Sequence, residues 1–133
     1  MLKYSRQREA IKDFLLTRTD HPTADMIYMH IRNQFPNISL GTVYRNLSLL
    51  ASLGEISKIS CGDGSVHFDP VPTPHYHFFC NQCGCIQDIN LKLSEDLNEI
   101  AAQNFPGKIK NHSIIFYGKC ANCSSDKNNH LTN

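Results

Sequence analysis

Ser39-Leu40-Gly41-Thr42-Val43-Tyr44-Arg45-Asn46-Leu47-Ser48-Leu49-Leu50 opens on a capping serine and then repeats apolar side chains three and four residues apart. A serine in that position accepts a hydrogen bond from an otherwise unpaired N–H of the first helical turn. Leu40, Val43, Leu47 and Leu50 fall on one face of the predicted helix, and Gly54 supplies its stop. With that face turned to a core, Thr42, Tyr44, Arg45 and Ser48 lie largely elsewhere. A helix with a short polar N-terminus and an outward arginine has the shape and donors to enter a DNA major groove. A solvated amphipathic helix shows the same pattern.

Outward from this helix the pattern stays regular. Upstream, Ala10, Ile11, Phe14 and Leu15 form one helical face. Thr23 can cap a second helix carrying Ala24, Ile27 and Ile31 inward, with Asp25 in its first turn and Phe35-Pro36-Asn37 ending it. Downstream, Ile56 to Ser60 and Ser65 to Phe68 can pair as strands around Gly62-Asp63-Gly64. Three helices followed by a two-stranded ribbon is a winged helix-turn-helix pattern. The second half reads as three strands, Tyr76–Cys80, Cys85–Ile89 and Ile109–Tyr117, and one helix. Ser94 can cap that helix, with Glu95 and Asp96 in its first turn and Leu97, Ile100 and Ala101 inward. The whole is predicted to be α+β. It comprises a winged-helix domain over 1–69, a Pro-rich hinge over 70–74, and a small α+β domain over 75–133 with a flexible tail after about residue 124.

Composition narrows the functional classes. The chain has 133 residues, 41% of them hydrophobic, enough for folded cores. Its formal net charge is +1, so bulk charge alone announces no polyanionic partner. The balance is +2 over residues 1–68 (eight basic, six acidic) and −1 over 69–133 (five basic, six acidic). No apolar run reaches bilayer length, and Met1 to Ala10 lacks a signal-peptide core, so the expected location is cytoplasmic, away from membranes. A reducing compartment turns the six cysteines toward metal ligation rather than disulfides. No Gly-rich loop or substrate-binding motif is present in the sequence, so neither an enzyme nor an organic cofactor is expected.

Cys80-Asn81-Gln82-Cys83 and Cys120-Ala121-Asn122-Cys123, with 36 residues between them, are the strongest signal. Two residues between cysteines let both sulfurs reach one ion from a tight knuckle. Two knuckles complete a four-thiolate site, the donor set of structural Zn(II). A redox Cys-x-x-Cys would need only one pair. Cys61 and Cys85 fall outside the pattern and read as ordinary residues. His75-Tyr76-His77 is the second signal, because residues two apart in an extended segment project to the same side. Asp69 can fold back across the Pro-rich turn, and Asp88 comes from the neighbouring strand. Imidazole with carboxylate suits iron, manganese or zinc.

Taken together, these residues resemble the ferric uptake regulator (Fur) superfamily over nearly the whole chain. The matching segments are Arg6-Gln7-Arg8, His21-Pro22-Thr23-Ala24, Thr42-Val43-Tyr44-Arg45-Asn46-Leu47, His67-Phe68-Asp69, His75-Tyr76-His77, both cysteine pairs, and Tyr117-Gly118. The resemblance is nearest to the peroxide-sensing, PerR-like branch. It implies a homodimeric repressor of palindromic double-stranded operator DNA, contacted through Thr42, Tyr44 and Arg45. It further implies a regulatory Fe(II) or Mn(II) held by His21, Asp69, His75, His77 and Asp88. Iron-catalysed oxidation of His21 or His75 would then report hydrogen peroxide. An iron, manganese or zinc uptake regulator without peroxide chemistry is the alternative. Asp at positions 69 and 88, where iron-uptake regulators often carry Glu, favours the peroxide branch. A further C-terminal site of many relatives looks dismantled, because Pro74 and Tyr76 stand where it needs His and Asp; His112 is thereby left without an evident metal role. The N-terminal arm is short, and His67 stands where the family usually has Arg. His30 and His130 match no ligand and read as surface residues.

Overall fold

The computed structural model describes residues 4–71, 76–92 and 96–125. The chain divides into two compact units, Met1–Thr73 and Pro74–Asn133. The prolines of the expected hinge at 72 and 74, together with His75, Ser94, Glu95, His130 and the tail, lie outside the described residues.

In the first unit, helices α1 (Arg6–Leu16), α2 (Ala24–Ile31) and α3 (Leu40–Ser52) precede strands β1 (Ser57–Ser60) and β2 (Val66–Asp69). Each helix starts at a hydroxyl cap. Ser5 accepts from the Arg8 N–H, Thr23 from Met26 and Ser39 from Thr42. Gly54 ends α3 with φ at +75°, a conformation that costs glycine least. Strands β1 and β2 pair antiparallel, with Ser57 opposite Asp69 and Ser60 opposite Val66. The core is Ile11, Leu15, Ile27, Ile31, Ile38, Val43, Leu47, Leu50, Ile56 and Phe68. Leu40 departs from the expected inner face and is 40% exposed. It sits in the first turn of α3, before the helix has reached the core.

The second unit is a three-stranded sheet in the order β4-β3-β5, built from β3 (Tyr76–Cys80), β4 (Ile86–Ile89) and β5 (Ile115–Gly118). Strand β4 runs antiparallel to β3 and β5 runs parallel to it. The strand expected over 109–117 begins only at Ile115; the polar Lys110-Asn111-His112-Ser113 segment before it stays outside the ladder. Helix α4 (Leu97–Ala102) is capped by Asp96, whose carboxylate accepts from the Asn98 N–H, so Asp96 lies before the first turn and not within it. No residue of α4 is buried, and Ile100 and Ala101 are exposed, contrary to the expected inward face. Helix α5 (Ala121–Ser124) is a single turn. Among the described residues, no helix is long and apolar enough to cross a membrane.

Leu47 is fully buried where α3 meets the other two helices. Leu47→Ala is therefore expected to lower the stability of the first unit by about 2–5 kcal/mol, read as a shifted midpoint in urea denaturation.

Candidate metal centres and nucleic-acid-binding helix

The parallel pairing of β3 with β5 decides where the cysteines meet. Parallel neighbours end at the same edge of a sheet, so the turns that follow them are adjacent. Register places Cys80 opposite Gly118. A Cβ at position 118 would stand 3.3 Å from the Phe78 ring, so glycine lets the two strands lie there without shifting that ring. The first knuckle closes through the Gly84 N–H donating to the Cys80 carbonyl, with Gly84 at φ +77°. One sulfur from each of Cys80, Cys83, Cys120 and Cys123 then lies within 4.8 Å of the others. Cys80 and Cys123 sulfurs are 3.7 Å apart, and those of Cys83 and Cys120 are 3.8 Å apart.

The electrostatics of this cluster favour bound charge. Backbone N–H groups of Cys83 and Cys120 each donate to Cys80 Sγ at 3.4 Å and hold that thiol down to about 5. The Cys123 N–H likewise lowers Cys120. Cys123 is pushed up to about 12, first by its bond to Cys120 and then by burial. The set thus offers thiolates in a tetrahedral-sized space, which fits a thiophilic divalent ion. Cys85, read from sequence as an ordinary residue, packs against this cluster and is pushed up to about 12, chiefly by burial and then by Cys83 and Cys120.

His21 and Asp69 meet within the first unit. His21 Nε2 lies 2.9 Å from Asp69 Oδ2, and both side chains are buried. Asp69 Oδ1 accepts from the Val71 N–H at 2.9 Å, which fixes the carboxylate at the end of β2. His21 precedes Pro22, where extended backbone is usual, yet it has φ at +54°. It is the only non-glycine residue with positive φ among the described residues, and such a conformation costs about 1–3 kcal/mol unless its surroundings impose it. In the second unit, His77 and Asp88 are directly opposed across β3 and β4 and therefore share a face of the sheet. His77 Nε2 lies 3.5 Å from Asp88 Oδ1, with His77 buried and the Asp88 side chain 55% exposed. Each unit therefore presents one imidazole–carboxylate pair, a donor set that fits Fe(II) or Mn(II). His75 lies outside the described residues.

On α3, Arg45 is exposed and reaches back to donate from Nη2 to Thr42 Oγ1 at 3.0 Å. Thr42 Oγ1 is 2.9 Å from Ser39 Oγ. Tyr44 is 39% exposed, edge-on to Phe68 and with Lys58 Nζ 5.3 Å from its ring centroid. Thr42 and Arg45 thus share one polar surface at the start of α3, while Tyr44 lies against the β1–β2 ribbon.

Two residues carry more than their sequence context announced. His112 bridges Tyr76 Oη, 3.1 Å from its Nε2, and Asn98 Oδ1, 2.8 Å from its Nδ1. His67 is 8% exposed and bonds the His21 carbonyl through its ring. His67 was visible in sequence only as a departure from the family's usual Arg.

The chain is 37% identical over 127 residues to the peroxide operon regulator of Bacillus subtilis, covering 96% of this chain and 88% of that one. Its structure resembles that of a Campylobacter jejuni peroxide stress regulator, with a TM-score of 0.72, 29% identity, and 88% of each chain covered. Its fold is also that of the Helicobacter pylori ferric uptake regulator Fur, with a TM-score of 0.78 at 24% identity, over 95% of this chain and 85% of that one. The model of the ferric uptake regulator family matches residues 1–117. The chain belongs to the ferric uptake regulator family.

Proposed function

We propose that this protein is a metal-dependent transcriptional repressor that binds palindromic operator DNA as a homodimer and senses hydrogen peroxide through its own histidine ligands. The carrying observation is the pair of half-sites: His21 against Asp69 in the unit that bears α3, and His77 against Asp88 in the unit that bears the thiols. A single Fe(II) or Mn(II) held by both pairs and by His75 would tie the winged helix to the second unit. Such an ion favours the DNA-competent arrangement only through its greater affinity for it, and operator DNA must then tighten metal binding by the same factor. Similarity to peroxide regulators supports the peroxide reading over a plain iron, manganese or zinc sensor. No catalytic role is assigned to either site, and no organic cofactor is required.

Dimerisation is assigned to the second unit. Leu91, Ile100, Phe105, Phe116 and Tyr117 are large apolar side chains left exposed there, and burying them against a second copy supplies the association energy. Two-fold symmetry then presents one α3 to each operator half-site.

The four thiols are assigned to structural Zn(II), with folding coupled to binding. Cys80→Ser or Cys123→Ser is expected to lose the zinc and to unfold or monomerise the second unit. Zinc content and sedimentation measure this; a zinc-free, dimeric Cys80→Ser protein would contradict the assignment.

Thr42, Tyr44 and Arg45 are assigned to operator contact. Arg45→Ala is expected to weaken operator binding by about 1–3 kcal/mol, with zinc content and thermal midpoint unchanged. Unaltered affinity in a gel-shift titration would place the recognition surface elsewhere.

Fe(II) held by these residues would supply reductive cleavage of the peroxide O–O bond, chemistry that Mn(II) does not readily undertake. Imidazole is the more oxidisable ligand type, so His21 or His75 would take one peroxide oxygen, the other leaving as water, and would hold the ion less well. Losing His21 would leave Asp69 as the first unit's remaining assigned ligand and so weaken the tie between that unit and the ion. Brief peroxide treatment of the iron form is expected to add 16 Da to peptides containing His21 or His75 and to abolish operator binding, while the manganese form keeps both intact. Oxidised cysteines with intact histidines would move the sensor to the thiols; no response would leave the metal-sensor reading.

A further inference from the structure

Strand β2 holds the His21 loop at three successive points. Thr23 bridges antiparallel to His67. The Phe68 N–H donates to the Pro22 carbonyl at 2.9 Å. The third contact is made by a side chain: His67 Nδ1 lies 2.8 Å from the His21 carbonyl oxygen. A carbonyl oxygen only accepts, so this geometry requires the proton on Nδ1. The far side of the ring is fixed as well, with Nε2 3.0 Å from Ser65 Oγ. Ser65 Oγ also lies 2.6 Å from Asp63 Oδ1, and the same carboxylate oxygen accepts from the Ser65 N–H at 2.9 Å; the one hydroxyl proton serves either the carboxylate or Nε2, not both at once. Close polar contacts therefore run from the tip of the β1–β2 turn, past Ser65 and the buried His67 ring, to the backbone of His21.

His21 is where those contacts are needed. Its backbone sits in the left-handed region, which a non-glycine residue keeps only when neighbours hold it there. Rotating that peptide would turn the imidazole away from Asp69, now 2.9 Å from it.

We infer that His67 is a positioning residue for the regulatory ligand His21: its Nδ1–H fixes the His21 carbonyl, and with it the direction of the imidazole, and it links that ligand to the ribbon turn. The inference rests on the proposed assignment of His21 to a metal. Groups that orient a ligand without touching the ion commonly govern about 10- to 100-fold in metal affinity. His67 thus does for the His21 loop what Val71 N–H does for Asp69.

The test swaps the position of one donor at nearly constant size. An asparagine amide reaches the place of histidine Nδ1, whereas a glutamine amide reaches the place of Nε2. Mn(II) binding without DNA, followed by the electron paramagnetic resonance of free Mn(II), is expected to be near the unchanged protein's in His67→Asn. It is expected to be about 10- to 100-fold weaker in His67→Gln, with zinc content equal in both. Nitrogen NMR of the metal-free protein should show the His67 ring proton on Nδ1. Equal affinities in the two variants, or a ring protonated on Nε2 alone, would overturn the inference while leaving the metal assignment standing. A His21→Ala protein that binds Mn(II) as tightly as the unchanged chain would overturn the metal assignment, and this inference with it.

Discussion

Four sulfurs gathered within 4.8 Å cannot all carry charge unless a cation sits among them, and the second unit is organised around that constraint. Its helix α4 buries nothing, and among the described residues its buried apolar side chains besides the cysteines are Phe79 and Ile86. A core of that size does not hold a sheet in water by itself. The backbone N–H groups that draw Cys80 down to about 5 prepare one thiolate in advance, while Cys123, pushed up to about 12, keeps its proton until an ion displaces it. The cluster is therefore incomplete as a packing unit and complete as a ligand set. The first unit has the opposite economy. Ten buried apolar residues, eight of them from the three helices and the ribbon, close on one another, and among the described residues the buried polar ones, His21, His67 and Asp69, gather at one edge.

That edge is strand β2. Along four residues it contributes Phe68 to the core, His67 to the His21 carbonyl, and Asp69 to the His21 imidazole. The alternation of side chains along a strand explains how one short element can serve both a hydrophobic core and a polar site. It also explains why the His21 loop, which has no regular structure of its own, can keep a left-handed backbone.

The helices and most of the strand positions could be read from the residues because their signals are local. Thr23 and Ser39 cap where hydroxyls should, and Gly54 stops α3 where a positive φ is required. The cysteine pairs were readable because their spacing is itself the geometry of a knuckle. Leu40 was placed inward by periodicity alone, which ignores how far a first turn stands from the core. The face of α4 was misread for a related reason: apolar spacing shows which residues seek burial, not whether the same chain covers them. His67 was undervalued because its partner, His21, comes from distant sequence, and Cys85 because half of the thiol cluster, Cys120 and Cys123, does too. Only the β2 bridge and the parallel β3–β5 pair bring those partners together.

The parallel pairing also bears on how the chain reaches its fold. Strands β3 and β4 are joined by a short turn and can zip locally, but β5 must return past β4 and α4 to align beside β3. Non-local parallel pairing is slow, because a long loop has to close before any ladder bond rewards it. The knuckle at Cys80 and Cys83 is formed by the fast hairpin, so an ion caught there waits at the spot where Cys120 and Cys123 must arrive. With the thiol cluster as a zinc site, metal capture would then precede registry, and the supply of free ion would set the pace of refolding. A chain refolding in a starved cell would linger with β3 and β4 paired and one edge of β3 bare, which is the state most open to pairing with a neighbour.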